Sequence, residues 1–160
     1  MITLREIIDE NIILSVLKTP CIFPRISSDG QTVENFVFYN KPDYLWLGIY
    51  NDNELIGLYW LHPVSENTIQ IHIQIFKKYR DKFAFDAGKA AVEWFLKSDY
   101  KNMIAEIPEL YMDVYTYTKK FGFVPYGINK ESYTKNGAIY DEFILRLTKE
   151  EAEIWVQSIK

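Results

Sequence analysis

Between Ile69 and Ile75 the chain alternates Ile69, Ile71, Ile73 and Ile75 with Gln70, His72 and Gln74, and this period of two is its strongest constraint on the fold. Successive side chains of an extended strand point to opposite faces, so the segment predicts a strand with one apolar and one polar face. After Lys77-Lys78-Tyr79-Arg80 the period changes. Ala84, Ala87, Gly88, Ala91, Trp94 and Phe95 recur at helical spacing, small residues first and large ones later. Small side chains let such a helix lie close to a sheet. A short apolar strand, Met103 to Ile107, follows and ends at Pro108. Strand, helix and strand in that order impose a parallel crossover and predict a mixed α/β sheet with helices on both faces.

The flanking segments extend this pattern. Leu4, Ile7, Ile8, Ile12 and Val16 are spaced as on a helix, with Thr3 as its N-cap and Glu6 three residues on, which predicts a first helix over Thr3 to Leu17. Pro20, Pro24, Gly30 and Pro42 make the next stretch irregular, with Thr32 to Tyr39 open to either a short helix or a strand. Tyr44 to Tyr50 and Leu55 to His62 read as antiparallel strands joined through Asn51-Asp52-Asn53. A helix over Met112 to Phe121 stops at Gly122. A strand begins at Phe123-Val124-Pro125-Tyr126, and another runs from Ala138 to Leu147 after the Asn136-Gly137 turn signal. A last helix starts at Thr148 as its N-cap. The whole is expected to be one domain over residues 1–160, with a mostly antiparallel twisted sheet of about six or seven strands.

Composition narrows the function. Net charge is −4 and the basic residues are spread out, so the broad basic face that nucleic-acid binding requires is not expected. Cys21 is the only cysteine, which excludes an intramolecular disulfide and a cysteine-based metal site; no metal is expected. No apolar run approaches the ~20 residues of a membrane helix, and the residues after Met1 do not form a signal-peptide core. A reducing cytoplasm fits best. Monomer and homodimer are both compatible with the sequence.

The strand ending at Ile75 feeds the basic turn and a helix expected to begin near Lys82. Free amides and the positive end of the helix dipole favour an anion there, with Lys77, Lys78, Arg80 and Lys82 adding charge. A pyrophosphate has the right chemistry.

Two ordered blocks carry a family resemblance. Ile75-Phe76-Lys77-Lys78-Tyr79-Arg80 leads into Ala87-Gly88-Lys89-Ala90-Ala91, and Ile104-Ala105-Glu106-Ile107-Pro108 leads to Lys119-Lys120-Phe121-Gly122-Phe123-Val124-Pro125-Tyr126-Gly127. Together they resemble the GNAT superfamily of acyl-CoA-dependent N-acyltransferases, over roughly Tyr44 to Leu147, and most resemble divergent members found among bacteriophage genes. The resemblance implies a V-shaped opening between the strand at Ile69 to Ile75 and that at Met103 to Ile107. It implies acetyl-CoA or another acyl-CoA as co-substrate, held by Ile73, Ile75, Lys78, Arg80, Lys82, Phe83, Ala84, Phe85 and Gly88, and a small-molecule or protein amine as acceptor.

The chain departs from the family pattern at three places. The glycine-type positions after Arg80 fall on Phe83 and Phe85, and Gly88 is the first glycine; glycine there normally allows close backbone approach to phosphate. Tyr111 stands where asparagine is common. The tyrosine that often protonates the departing thiolate falls at Thr118, with Tyr117 one position away, about 100° around the helix. For direct attack of an amine on the thioester, His72 is the first candidate base because its ordinary pKa is near neutral; His62 and Glu106 come after it, and Tyr117 is the candidate acid. Tyr44, Trp46, Tyr50, Tyr59 and Trp60 are candidates to line an acceptor pocket. The missing glycines and displaced tyrosine also motivate an alternative, a GNAT-like binding or structural protein without turnover.

Overall fold

The computed structural model describes residues 1–160. Seven strands are hydrogen-bonded in the order β1-β2-β3-β4-β5-β7-β6: β1 Ile2–Glu6, β2 Leu45–Asn51, β3 Glu54–Ser65, β4 Thr68–Ile75, β5 Asn102–Pro108, β6 Val124–Lys135 and β7 Ala138–Thr148. The helices are α1 Glu10–Leu17, α2 Phe23–Ile26, α3 Lys77–Lys97, α4 Met112–Lys119 and α5 Lys149–Ser158. No helix is long and apolar enough to cross a membrane. The expected mixed, mostly antiparallel sheet is present, with its parallel pair at β4 and β5. Residues separate into two compact units, Met1–His62 with His72–Ala90 and Pro63–Ile71 with Ala91–Lys160.

The first unit corrects the reading of the N-terminus. Ile2 to Glu6 is a strand, paired antiparallel with Asn51 to Leu47 of β2, and the helix begins only at Glu10. Asp9, not Thr3, is the N-cap, its side chain accepting from the Asn11 N–H. Ile8, which the helical spacing placed on the apolar stripe, is 82% exposed, whereas Ile7 and Ile13 are buried. A ladder with β2 satisfies the backbone of residues 2–6 and overrides local spacing, and the β-branched Ile2 and Thr3 suit it. Thr32 to Tyr39 forms neither helix nor strand. Thr32 and Asn35 instead bind each other's backbone through their side chains, a local alternative to regular structure, while Phe36 packs edge-on to Phe23 and Phe38 against Trp46. The core beneath them gathers Ile13, Val16, Leu17, Ile22, Trp46 and Leu58.

In the second unit β5 pairs antiparallel with β7, and β7 with β6. Asn136 and Gly137 both have positive φ, as the tight turn joining β6 to β7 requires. Gly122 ends the α4 segment at φ +84°, and an added Cβ there would meet Trp155 at 3.0 Å. Of the expected α3 stripe, Ala87, Gly88, Ala91 and Phe95 are buried, and Ala84 and Trp94 are half-buried. Lys149 donates to the carbonyls of Phe95, Leu96 and Ser98, placing a cation on the acceptor-rich C-terminus of α3. Thr148 caps α5 in a reciprocal capping box with Glu151. Thr148→Ala removes one half of that box, and urea unfolding should show a loss of about 1 kcal/mol.

Candidate functional site

The two-residue Glu66-Asn67 connection turns β3 back onto β4, as only an antiparallel pair allows, and brings together rings that are distant in sequence. His62 and His72 face each other with their Nε2 atoms 3.2 Å apart. Trp60 stacks on His72 at 4.3 Å with an interplanar angle of 18° and lies 4.7 Å from His62. Trp46 stacks on Trp60 at 5.7 Å, its cross-strand partner in the β2–β3 register, and Tyr44 packs against both Trp60 and His62. The Trp60 indole N–H is buried with no hydrogen-bond partner.

This apolar surrounding changes His72. Burial first, and the neighbouring His62 second, lower its pKa from the ordinary 6.5 to about 3; withdrawing the imidazolium from water costs more than any partner returns. The ring is therefore neutral at physiological pH and too weakly basic to hold a proton by itself. Trp60 and Tyr44 thus border the histidine pair, and Trp46 backs Trp60. Tyr59 is buried elsewhere in the core, and Tyr50 lies under the Arg5 guanidinium.

The expected basic loop before the α3 helix is a correction. The helix starts at Lys77, not near Lys82, and its first turn closes through the Tyr79 N–H on the Phe76 carbonyl at 2.9 Å. With no glycine after Ile75 to support a loop, strand passes directly into helix, so Lys78, Arg80 and Lys82 occupy its first two turns. Lys78 is exposed and lies over the Tyr79 ring, 3.9 Å from Glu54. Lys82 lies over Phe83. Arg80 is turned to structural use: Nε donates to the Ile75 carbonyl at 2.9 Å and a terminal nitrogen to the Cys21 carbonyl at 3.2 Å, tying the α1–α2 connection to the end of β4. Ile75, Gly88 and the half-buried Ile73 and Ala84 are covered, whereas Phe85 is 50% exposed. These residues fit a pyrophosphate in part: exposed lysines stand at a helix start, but Phe83 and Phe85 allow no glycine-like approach of the backbone.

Tyr117 and Glu106 lie in the second unit. Tyr117 is half-buried and packs edge-on to Phe121 at 4.8 Å. Thr118, where the resemblance leads one to expect the thiolate-protonating tyrosine, is buried and donates its hydroxyl to the Val114 carbonyl at 2.8 Å. Glu106 is half-buried on β5 opposite Ile144. It has a neighbour not anticipated from the sequence: Glu142, whose carboxyl is held above its ordinary value mainly by burial and further by the Glu106 charge. The β4–β5 register spans three pairs, Thr68–Asn102 to Gln70–Ile104.

The pairing of the two histidines was also missed from the sequence. Its signal was present, since His62 and His72 lie at nearly equal distances on either side of Glu66-Asn67.

Comparison with solved structures places this arrangement in a known fold. The spermidine N-acetyltransferase of Vibrio cholerae in complex with CoA and spermine superposes with a TM-score of 0.77 at 14% identity, over 95% of this chain and 98% of that one. A chimera of that enzyme and hSSAT gives a TM-score of 0.76 at 14% identity, over 95% and 98%. The protein smu.2055 of Streptococcus mutans UA159 gives 0.70 at 14% identity, over 92% and 99%. The fold is thus that of the GNAT acetyltransferases. No curated protein sequence matches the chain. A family model described as "Protein of unknown function (DUF2824)" matches residues 25–158, and the chain belongs to that family.

Proposed function

We propose that the protein is an acyl-CoA-dependent N-acyltransferase that transfers acetyl from acetyl-CoA to a primary amine by direct attack. The observation that carries this reading is the acetyltransferase fold over 95% of the chain. The β4–α3 junction supports it. There the strand continues past its three-pair register with β5 into a helix whose first turns present Lys77, Lys78 and Lys82. Backbone of Ile73 and Ile75 would pair with the pantetheine amides, and the lysines would meet the phosphates. Because fold alone does not fix chemistry, this junction is the second support of the reading.

The acceptor is a small-molecule or protein amine, and polyamines such as spermidine belong in the first panel because an enzyme of this fold is named for that substrate. Isothermal titration is expected to show acetyl-CoA and CoA binding at sub-millimolar concentration, and a thiol-release assay to show CoA formation with at least one amine. Absence of binding at millimolar ligand would remove the donor assignment. The occupied Arg80 and the hydroxyl of Thr118 bound to Val114 favour a second reading, CoA binding without turnover. CoA binding with no acetyl transfer to any amine would support it.

A further inference from the structure

From the 3.2 Å contact between the Nε2 atoms of His62 and His72 within their aromatic enclosure, we infer that the two imidazoles act as one proton relay for the acyl transfer. The inference rests on the transferase reading. Two neutral imidazoles that share an Nε2···Nε2 hydrogen bond must hold opposite tautomers: one donates Nε2–H and keeps a bare Nδ1, while the other accepts at Nε2 and carries its proton on Nδ1. Such a pair passes a proton without storing one. A proton arriving at the bare Nδ1 is matched by transfer across the Nε2–Nε2 contact and departure from the far Nδ1, and no lasting imidazolium forms.

This resolves a conflict at His72. A lone base that binds a proton only near pH 3 accepts one poorly from an amine at neutral pH, yet His72 is the histidine on β4, between Ile71 and Ile73. In the relay it needs no stable protonated form. The amine nitrogen forms its bond to the thioester carbonyl carbon, and the carbon–sulfur bond breaks. The amine proton goes to Nδ1 of His72, the proton on His72 Nε2 moves to His62 Nε2, the proton on His62 Nδ1 leaves to solvent, and the thiolate takes a proton from solvent. His62 and His72 finish with tautomers reversed, and exchange with water restores them.

The surroundings keep His72 neutral and the two rings aligned. Burial and His62 are the causes acting on His72. Trp60 covers both rings, and the planes of His62 and His72 are 18° apart. Tyr44 packs on His62, and Lys41 lies on the Tyr44 ring, its Nζ 5.7 Å from the centroid. His72 would be the catalytic residue that meets the amine. His62, which acts through it, is a positioning and relay residue.

The test uses the intact protein with acetyl-CoA and an accepted amine. His72→Gln and His62→Gln are each expected to lower kcat about 10²-fold with the KM for acetyl-CoA unchanged, and the double variant to be no slower than either single one. The proton inventory of the wild type in mixed H2O and D2O should be curved, with more than one proton in flight, and that of His62→Gln should be linear. Nitrogen-15 spectra of the wild type, which need no variant to fold, should show the two rings in opposite tautomers with a coupling across the Nε2–Nε2 bond. A full rate in His62→Gln, a linear wild-type inventory, or equal tautomers without coupling would overturn the relay while leaving the transferase reading in place. A wild-type protein that transfers acetyl to no amine removes both.

Discussion

Gly57→Ala is expected to cost about 3 kcal/mol of stability, the upper part of the range for overpacking a filled interior. A Cβ at this position would lie 2.2 Å from the Gln74 carbonyl oxygen, 2.8 Å from the Ile75 Cα and 3.1 Å from the Gln74 carbonyl carbon. These are backbone atoms, so no side-chain rotation relieves the overlap and β4 itself must move. That shift is resisted at its end, where the Phe76 N–H donates to the Ile56 carbonyl at 3.0 Å and the chain enters α3. Urea unfolding of Gly57→Ala beside Gly30→Ala makes the comparison direct. Gly30 has φ +79° but nothing within 4 Å of an added Cβ, so its replacement should cost only about 1 kcal/mol, the strain of a left-handed backbone. Equal losses at the two sites would contradict the steric account. Since Gly57 faces the end of β4, the shift should also weaken binding of the proposed acetyl-CoA donor.

Acid should destabilise the fold through His72. The unfolded chain takes up this proton near the ordinary pKa of 6.5, the folded chain only near pH 3. Between those values the unfolded state binds more protons, so the stabilising contribution of the neutral ring is complete above pH 6.5 and is lost as the pH falls through the window. From about pH 7 to about pH 4.5 the loss from this residue is on the order of 2–3 kcal/mol. Urea midpoints at the two pH values, measured for the wild type and for His72→Gln, isolate it from the carboxylates: the variant should lose less stability on acidification by that amount. Parallel behaviour of the two proteins would show that His72 gains its proton at an ordinary pH in the folded state. The same experiment bears on the relay, since a ring that is easily protonated would block transfer across the Nε2–Nε2 contact.

Local sequence rules read most of the middle and end of the chain well because there local and tertiary preferences agree. Alternation from Ile69 to Ile75, the small-residue stripe of α3, the Asn136-Gly137 turn and the Thr148 cap each state their structure within a few residues. Even so, the two-faced reading of β4 was incomplete: Gln70, on its polar side, is only 8% exposed, as happens when a strand is covered on both faces. At the N-terminus the two levels disagree. Leu4, Ile7 and Ile8 are spaced for a helix, but the backbone of Ile2 to Glu6 finds partners in β2, more than forty residues away, and no local pattern records such a pairing.

For the candidate site, the sequence by itself determined which residue types were available: two histidines, lysines around a strand-to-helix junction, and a glycine-poor stretch after Arg80. Tertiary structure decided their use. It turned Arg80 onto the Ile75 and Cys21 carbonyls, fixed the Thr118 hydroxyl on Val114, and closed His62 onto His72 beneath Trp60. The physical reason is that charge, hydrogen bonding and proton affinity depend on distance and burial. A sequence names the groups, but their separations and their exposure to water are set only when strands distant along the chain pair.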